Sequence, residues 1–405
     1  MSQNEKSMTE SKCPMHQVRK IPNDGTPLHP SPIFEVWREE GAATPLEYSD
    51  GHEGLIINRY EQARLVLEDK RFSQSPSRMP SHHVDTQIKT IVEEGFQSYS
   101  DLDAGNILAL DGEQHSKIRR TVLKRFSVKS ARAYEEKIKE IVSEQLVHLL
   151  SLKTPVDLTD NYSEAISTAT HVYILGIPEP FHQEYSRLFV GPSVTEEKIH
   201  FMREVLAAKK NFLSEDILSD LLQSELTSSE IEGISLSLMV SGRDSVAYMI
   251  STTMTALLTN PDQLEQLRSN PEIINNAIEE FMRVGSMFLT LFPRTATEDV
   301  EIGGVKISKD QSVSVSPVSA NHDERQFANP EKFDVTRDAF GHLGFGHGIH
   351  GCIGQQVARV EIREAILQLI QKVPTLQLVN AQQLEPIAFA HPVATYSAGE
   401  VLVTW

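Results

Sequence analysis

Residues 345–359 read Phe-Gly-His-Gly-Ile-His-Gly-Cys-Ile-Gly-Gln-Gln-Val-Ala-Arg and carry the strongest signal in the chain. Their four glycines allow backbone conformations and close approaches that a Cβ would block. After Cys352 the pattern becomes helical, because Val357, Val360 and Ile362 recur at short helical steps. The stretch therefore predicts a loop that brings one thiol to a helix N-terminus, where free amides and the helix dipole stabilise a thiolate.

A thiolate in this position has several possible roles, and the residues alone leave them open. It could be a nucleophile, a metal ligand or an inert buried thiol. His342, His347 and His350 lie close to Cys352 in sequence, and His and Cys are the usual ligands of zinc. Structural zinc sites usually bring their ligands in two separated pairs, however, and this chain has no second pair of cysteines.

The order of residues around the thiol is similar to a known pattern. Phe345-x-x-Gly348-x-His350-x-Cys352-x-Gly354 resembles the haem-ligand loop of the cytochromes P450. The resemblance continues through Ala-Arg at 358–359 and covers about residues 33–405. It implies a mainly α fold with a small β-rich subdomain.

The resemblance also implies a cofactor, which is haem b. Cys352 would be the proximal thiolate on the iron and would push electron density toward O–O cleavage. The loop residues that would border the haem are Phe345, Gly346, His350 and Gly354.

The whole chain sets limits on the class of protein. It has 405 residues, 40 % of them hydrophobic and 23 % charged, which is an ordinary globular composition. With only Cys13 and Cys352, a disulfide framework is not expected and a reducing compartment fits. A net charge of −18 argues against a nucleic-acid partner. We expect a cytoplasmic monomer with no membrane anchor, made of a flexible tail (1–30) and one domain (31–405).

A basic segment follows residue 110. His115 and Arg119 are four residues apart and share one helix face, which by spacing alone would be a solvated pair. The resemblance implies that both bind haem propionates. A basic strip on the same helix suggests an acidic partner in so acidic a chain, and by resemblance this is a ferredoxin or flavodoxin with its NAD(P)H reductase. The strip consists of Lys117, Arg120, Lys124 and Arg125.

Residues 227–260 form the longest predicted helix, with a capping-box pattern at its start. Its middle reads Ser-Gly-Arg-Asp-Ser, and a glycine with polar neighbours inside a buried helix predicts a local break. By resemblance, Gly242 makes room for O₂, Asp244 supplies protons and Ser245 holds a water or hydroperoxide. Ser245 stands where the family usually has Thr. Arg243 either pairs with Asp244 or binds a substrate carboxylate.

The family resemblance assigns further residues in the second half of the chain. Glu280, Arg283 and Arg337 would form a buried cluster that locks the haem loop, and Arg294 would bind a propionate. The substrate pocket would be lined by Val240, Arg243, Leu289, Thr290, Leu291 and Thr395.

Elsewhere the patterns predict ordinary elements. A helix is expected at 33–41, a strand at 54–58 and a helix at 60–69 that points Ala63, Leu65, Val66 and Leu67 inward. Residues 74–107 give weak signals and are predicted to be irregular, and the resemblance implies that they cover the distal side of the haem. Strand alternation is expected at 305–318 and short strands at 376–405.

The expected activity is that of a haem-thiolate monooxygenase. It would use O₂ and electrons from a separate redox partner to oxidise a small, largely apolar organic substrate of secondary metabolism. The same scaffold could instead couple or rearrange its substrate, or use peroxide. A non-catalytic haem or ligand-binding protein is the alternative of another class.

Overall fold

A computed structural model describes residues 18–48, 51–75, 102–191, 193–381, 387–390 and 393–405. Cys13 and most of segment 74–107 lie outside these residues. Helices dominate the described part. They are α1 Ile33–Glu40, α2 Tyr60–Glu68, α3 Gly112–Leu123, α4 Val128–Ser151, α5 Glu164–Leu175, α6 His182–Phe189, α7 Thr195–Lys209, α8 Ile217–Leu222, α9 Ser228–Val240, α10 Arg243–Thr259, α11 Pro261–Ser269, α12 Ile274–Val284, α13 Pro317–Asn321 and α14 Gln355–Lys372.

The strands are short and form four small sheets. A five-stranded sheet has the order β1-β2-β8-β5-β3, in which β2 and β8 are parallel. The others have the orders β4-β12-β9, β6-β7 and β10-β11. The strands are β1 Ala43–Glu47, β2 Glu53–Ile57, β3 Phe72–Ser73, β4 Val156–Asp157, β5 Arg294–Ala296, β6 Val300–Ile302, β7 Val305–Ile307, β8 Ser312–Val315, β9 Gln377–Ala381, β10 Ile387–Ala390, β11 Val393–Thr395 and β12 Val401–Thr404.

Two hydrophobic cores hold these layers together. The larger core joins the helices, with α4 packed along α14. The smaller core lies between α2 and the five-stranded sheet and includes Ile57, Val66 and Val313. The Cys352 loop precedes α14 and rests against α2, so it lies where the helical and β-rich parts meet.

Several predicted elements are confirmed and others need correction. Helix α2 begins and ends as expected, but Leu65 is 37 % exposed because the buried face of the helix passes through Ala63, Val66 and Leu67. Residues 317–321, expected to continue a strand, form a helical turn that starts at a proline. Within the predicted tail, Arg19 pairs with Leu46 of β1 in a β-bridge, so ordered packing begins before residue 31.

Candidate active site

The Cys352 loop is closed by its own backbone. The amide of Cys352 donates to the carbonyl of Phe345 at 2.8 Å, and Gly346 and Gly348 have φ values of 65° and 70°. At Gly348 a Cβ would lie 2.3 Å from the carbonyl oxygen of Leu67, so only glycine allows the loop to approach α2 this closely. The loop presents the Cys352 thiol as an exposed group.

Opposing electrostatic effects act on the pKa of the Cys352 thiol. Desolvation by the surrounding protein raises the pKa of Cys352, while the Gly354 amide, Arg119 and Arg359 favour the thiolate. The amides of Gly354 and Gln355 at the start of α14 act in the predicted direction, although desolvation raises the pKa overall. A metal cation at the sulfur would reverse this balance, because a coordinated thiol is deprotonated.

Two imidazoles and a carboxylate meet beside the thiol. The rings of His115 on α3 and His350 on the loop lie 4.3 Å apart between centroids. His350 Nε2 is 3.3 Å from Asp111 Oδ1, and Arg119 donates to the carbonyl of Gly351 at 2.7 Å. These contacts join the loop to α3 and the residue before it, although the two segments lie about 230 residues apart in the sequence. The sequence related them only through the family resemblance.

The polar groups in this region have hydrogen-bonding capacity left over. His115 is 2 % exposed and its Nε2 has no partner among the described residues. Burial, together with His350 and Arg119, lowers the pKa of His115 to about 4. Arg294 is 4 % exposed, and burial lowers its pKa to about 10. A buried imidazole with an unpartnered nitrogen, together with half-buried Arg119 and buried Arg294, suits the carboxylates of a cofactor, so the residues present fit haem.

Asp111 organises this region and was not singled out from the sequence. Burial would raise the pKa of Asp111, but hydrogen bonds from His350, Ser73 and the amides of Gln74 and Ser75 outweigh it and lower the pKa. Its position one residue before α3 is a typical N-cap, which was the available signal. Its side chain instead holds the chain at residues 73–75 against the loop histidine.

The geometry rejects the zinc alternative. His342 pairs with Glu279 at 3.1 Å, His347 pairs with Glu68 at 2.6 Å, and His350 pairs with Asp111. Each loop histidine therefore faces a different acidic partner. Within the described ranges no group of three or more His, Cys, Asp and Glu side chains converges to hold a metal.

A second ion pair, between Arg359 of α14 and Glu279 of α12, supports the Cys352 loop. Arg359 Nε and Nη2 donate to Glu279 at 2.5 and 2.9 Å, and the Arg359 guanidinium carbon lies 4.5 Å from the centre of the Phe345 ring. Burial opposes ionisation of Glu279, but hydrogen bonds from Arg359 and His342 lower its pKa to about 2. Sequence reasoning missed Glu279 because the neighbouring Glu280 carried the recognised spacing.

The predicted Glu280 cluster forms as expected. Glu280 and Arg283 are completely buried and pair at 2.7 Å, and Arg337 reaches Glu280 at 3.1 Å. Arg283 also donates to the carbonyl of Asn321 at 2.9 Å. The cluster joins α12 to the segment that leads into the Cys352 loop.

The long predicted helix breaks at the predicted place. α9 ends at Val240 and α10 begins at Arg243, with Gly242 in the left-handed region at φ 100°. The carbonyl of Met239 accepts a hydrogen bond from Tyr185 at 3.1 Å, which satisfies a group that the break frees. Ser245 Oγ is 3.5 Å from the Gly242 carbonyl, a long contact that leaves its hydroxyl available.

Arg243 has a well-defined environment. It is 4 % exposed and contacts the carboxylates of both Asp244 and Glu164. Of the two interactions predicted for Arg243, the structure contains the pair with Asp244. The sequence offered no signal for Glu164, which lies on α5.

The predicted pocket residues differ in their exposure. Leu289 and Thr290 are 0 % exposed and Thr395 is 1 % exposed. A β-bridge between Phe288 and Thr395 draws the two segments together and buries them. Leu291 and Val240 keep accessible surface, as do Met287, Phe288 and Phe292, which were not predicted.

Two of the four basic side chains in the predicted strip form ion pairs within the protein. Lys117 pairs with Glu230 at 2.7 Å and Arg125 pairs with Asp220 at 2.6 Å. Arg120 and Lys124 remain exposed. The strip available to a partner is therefore shorter than the sequence suggested.

Comparison with known proteins gives one consistent family. The cytochrome P450 family model matches residues 151–388. Mycinamicin IV hydroxylase/epoxidase of Micromonospora griseorubida is 30 % identical over 346 residues, covering 81 % of this chain and 84 % of the relative. 6-Deoxyerythronolide B hydroxylase of Saccharopolyspora erythraea is 30 % identical over 360 residues, covering 84 % and 88 %. The crystal structure of cytochrome P450 MoxA of Nonomuraea recticatena superposes with a TM-score of 0.83 at 28 % identity, covering 96 % and 98 %.

This chain belongs to the cytochrome P450 family. Its mainly α fold with a small β-rich part is confirmed by the structural neighbours. It is a monooxygenase that uses haem b and needs redox partners for its electrons, which excludes the non-catalytic alternative. In the part of the chain that the structure describes, no helix is both long and apolar enough to cross a membrane.

Proposed function

We propose that this enzyme hydroxylates a largely apolar small molecule of secondary metabolism, with Cys352 as the ligand of the haem iron. The observation that carries the proposal is the convergence of His115, His350, Arg119 and Arg294 around a loop that exposes one thiol. Macrolides are the first substrate class to test, because relatives are named for mycinamicin IV and 6-deoxyerythronolide B. We also propose one cytochrome P450 domain, to which the chain contributes from Arg19 onward through its bridge to β1.

The residues near the loop would divide the work of holding the cofactor. Arg119 and Arg294 offer cationic donors, and His115 offers an unpartnered buried nitrogen, to the two propionates. The loop would offer only small or apolar groups around the sulfur, namely Phe345, Gly346 and Gly354. A Cβ at Gly354 would lie 3.9 Å from Cys352 Sγ. When bound, haem supplies the activation of O₂ and the insertion of one oxygen atom into a substrate C–H bond.

The helix break would serve the protons of the reaction. Gly242 carries no side chain, and a Cβ there would meet only His171 Nε2 at 4.0 Å, so the break leaves open space. Asp244 is 42 % exposed at its side chain and can exchange protons with solvent, while the Ser245 hydroxyl can donate and accept a hydrogen bond. Met287, Phe288, Leu291 and Phe292 keep apolar accessible surface that could contact a substrate.

Electrons would arrive from a small acidic ferredoxin or flavodoxin. Arg120 and Lys124 lie one turn apart on the end of α3 and just beyond it, with Leu123 between them 45 % exposed. An exposed apolar side chain between two cations suits an acidic partner with an apolar centre. We propose that the enzyme is cytoplasmic, because a composition with only two cysteines fits a reducing compartment. We also propose that it is a monomer.

One spectrum tests the cofactor assignment, and a titration follows it. The reduced protein with CO should show the strongly red-shifted Soret band of a thiolate-ligated haem. Mycinamicin IV and 6-deoxyerythronolide B should then shift the ferric spin state and be hydroxylated with ferredoxin, reductase and NADPH. A Soret band typical of a neutral proximal ligand would refute the assignment of Cys352. Turnover with peroxide that equals turnover with redox partners would favour the peroxygenase alternative.

A further inference from the structure

Arg243 connects three elements around the helix break. Its Nη1 contacts the Glu164 carboxylate on α5, and its Nη2 contacts the Asp244 carboxylate on its own helix. Nη2 also donates to the carbonyl of Phe189, the last residue of α6, at 2.6 Å. The Ser167 hydroxyl on α5 donates to the carbonyl of Arg243 at 2.7 Å, so both backbone and side chain are held.

The carboxylates of Glu164 and Asp244 both contact buried Arg243, but they differ in exposure to solvent. The side chain of Arg243 is 5 % exposed, that of Glu164 is 23 % exposed and that of Asp244 is 42 % exposed. Burial raises the pKa of Glu164, Arg243 opposes this, and the charge of Asp244 adds to it. An Arg–carboxylate contact strengthens as water is excluded, so Glu164 is the firmer anchor and Asp244 the looser partner.

Glu164 also faces solvent on its far side. It lines a cleft of about 340 Å³ between α5 and α6, together with Asp160, Thr168 and His182. The residues that line the cleft include neither Arg243 nor Asp244, so Glu164 lies between the cleft and the buried guanidinium. Because Glu164 and Asp244 both contact Arg243, a change at Glu164 alters the pairing of Asp244 through this shared partner.

We propose that Glu164 is a positioning residue for the monooxygenase reaction, because it fixes the Arg243 guanidinium and so leaves Asp244 loosely paired and free to carry protons. This inference rests on the proposed role of Asp244 in proton supply. Without the anion at Glu164, Arg243 would have Asp244 as its main carboxylate partner. The tighter pair would hold the Asp244 carboxylate against Arg243, so proton supply would slow.

The test compares Glu164→Gln, Asp244→Asn and the double variant in the full-length holoenzyme. The control is Glu184→Gln on α6, where the exposed carboxylate pairs with exposed Arg187. The measured quantity is the rate of O₂-dependent NADPH oxidation, with ferredoxin and its reductase as electron carriers, in H₂O and in D₂O. We expect Glu164→Gln to slow the rate about tenfold and raise the solvent isotope effect. Asp244→Asn should slow it at least as much, and the double variant should be no slower than Asp244→Asn alone.

A spectroscopic readout separates positioning from a loss of fold. The infrared C–O stretch of the reduced CO complex reports the charges around the helix break. Glu164→Gln should shift this band, Glu164→Asp should restore most of it, and the control should leave it in place. If Glu164→Gln does not incorporate haem, Arg243→Lys, which keeps the charge but loses the forked geometry, should give the same rate loss and band shift.

The outcomes distinguish the two proposals. If Asp244→Asn leaves the rate and the isotope effect unchanged, the proposed role of Asp244 is wrong and the role of Glu164 falls with it. If Asp244→Asn slows the enzyme but Glu164→Gln leaves the rate and the C–O band unchanged, only the role of Glu164 is wrong. Effects that multiply in the double variant would also overturn it, because Glu164 would then act independently of Asp244.

Discussion

Gly348 of the cysteine loop lies directly against Leu67 at the end of α2. A Cβ at Gly348 would be 2.3 Å from the Leu67 carbonyl oxygen, which also accepts a hydrogen bond from Arg294 at 3.2 Å. One helix end therefore supports both the loop that carries the thiol and an arginine proposed to bind haem.

Gly348→Ala should disturb the loop more than a left-handed glycine elsewhere. At φ 70° an added Cβ costs about 1–2 kcal/mol, and the clash with Leu67 adds to it. We expect a lower melting temperature and faster loss of haem to apomyoglobin. Gly304→Ala is the matched control, since Gly304 has φ 84° but open space around its Cβ position. Equal effects of the two substitutions would show that the Leu67 contact is unimportant.

Cys352→Ala should abolish the thiolate signature while the chain still folds. The CO-reduced spectrum should lose its red-shifted Soret band, because no other described side chain is a free thiol. Cys13→Ala is the control and should keep the band. A variant at residue 352 that retains the band would contradict the ligand assignment.

Glu280→Gln should destabilise the fold and the haem loop together. It removes the charge that pairs with completely buried Arg283 and with Arg337, and breaking a buried pair costs roughly 3–5 kcal/mol. Urea unfolding followed by circular dichroism measures the loss. Glu184→Gln removes an exposed pair with Arg187 and should cost far less, because solvent screens exposed pairs. Similar losses in both variants would rule out a locking role for the cluster.

Glu279 should make stability depend on acidic pH. Its pKa is lowered from an ordinary 4.5 to about 2 in the fold, so the folded state binds fewer protons than the unfolded state in this range. The stability it contributes is complete above about pH 5 and is lost as pH falls through 4.5 toward 2. By pH 4 the loss should be about 1 kcal/mol.

Urea unfolding at pH 7 and pH 4 measures this dependence. Glu279→Gln should be less stable than the parent at pH 7, and the difference between the two should shrink at pH 4. Glu301→Gln, at an exposed position on β6, should follow the parent at both pH values. A difference between parent and Glu279→Gln that is independent of pH would contradict the lowered pKa.

Local sequence predicted the features that depend on local chemistry. The loop glycines and the helix break at Gly242 were predictable because backbone conformations restrict residue type. The capping box of Thr227 and Glu230 was predictable for the same reason. These features need no knowledge of which helices pack together.

The remaining features depend on tertiary packing. Glu164 meets Arg243 only because α5 packs beside the helix break, and no spacing in the sequence signals that contact. Leu289 and Thr290 are buried beside the bridge from Phe288 to Thr395, and no spacing in the sequence signals that bridge. Partners for Lys117 and Arg125 likewise come from α9 and α8, which lie about a hundred residues away.

Reversing charge at Arg120 and Lys124 should slow electron transfer from an acidic ferredoxin. Both side chains are exposed, whereas Lys117 and Arg125 are neutralised by partners within the protein. Loss of steering should lower the association rate about tenfold in the double variant Arg120→Glu/Lys124→Glu at low salt. Stopped-flow reduction of the CO-saturated enzyme measures it.

The control and the salt dependence decide whether this surface is the docking site. Lys306→Glu/Lys309→Glu makes the same change in net charge at exposed positions of the β6–β7 hairpin and its following turn. If net charge alone governs association, both double variants slow reduction equally. If Arg120 and Lys124 contact the partner, only their variant is strongly slowed. The deficit should then shrink as salt rises to about 0.5 M, because the Debye length falls below the distance across the interface.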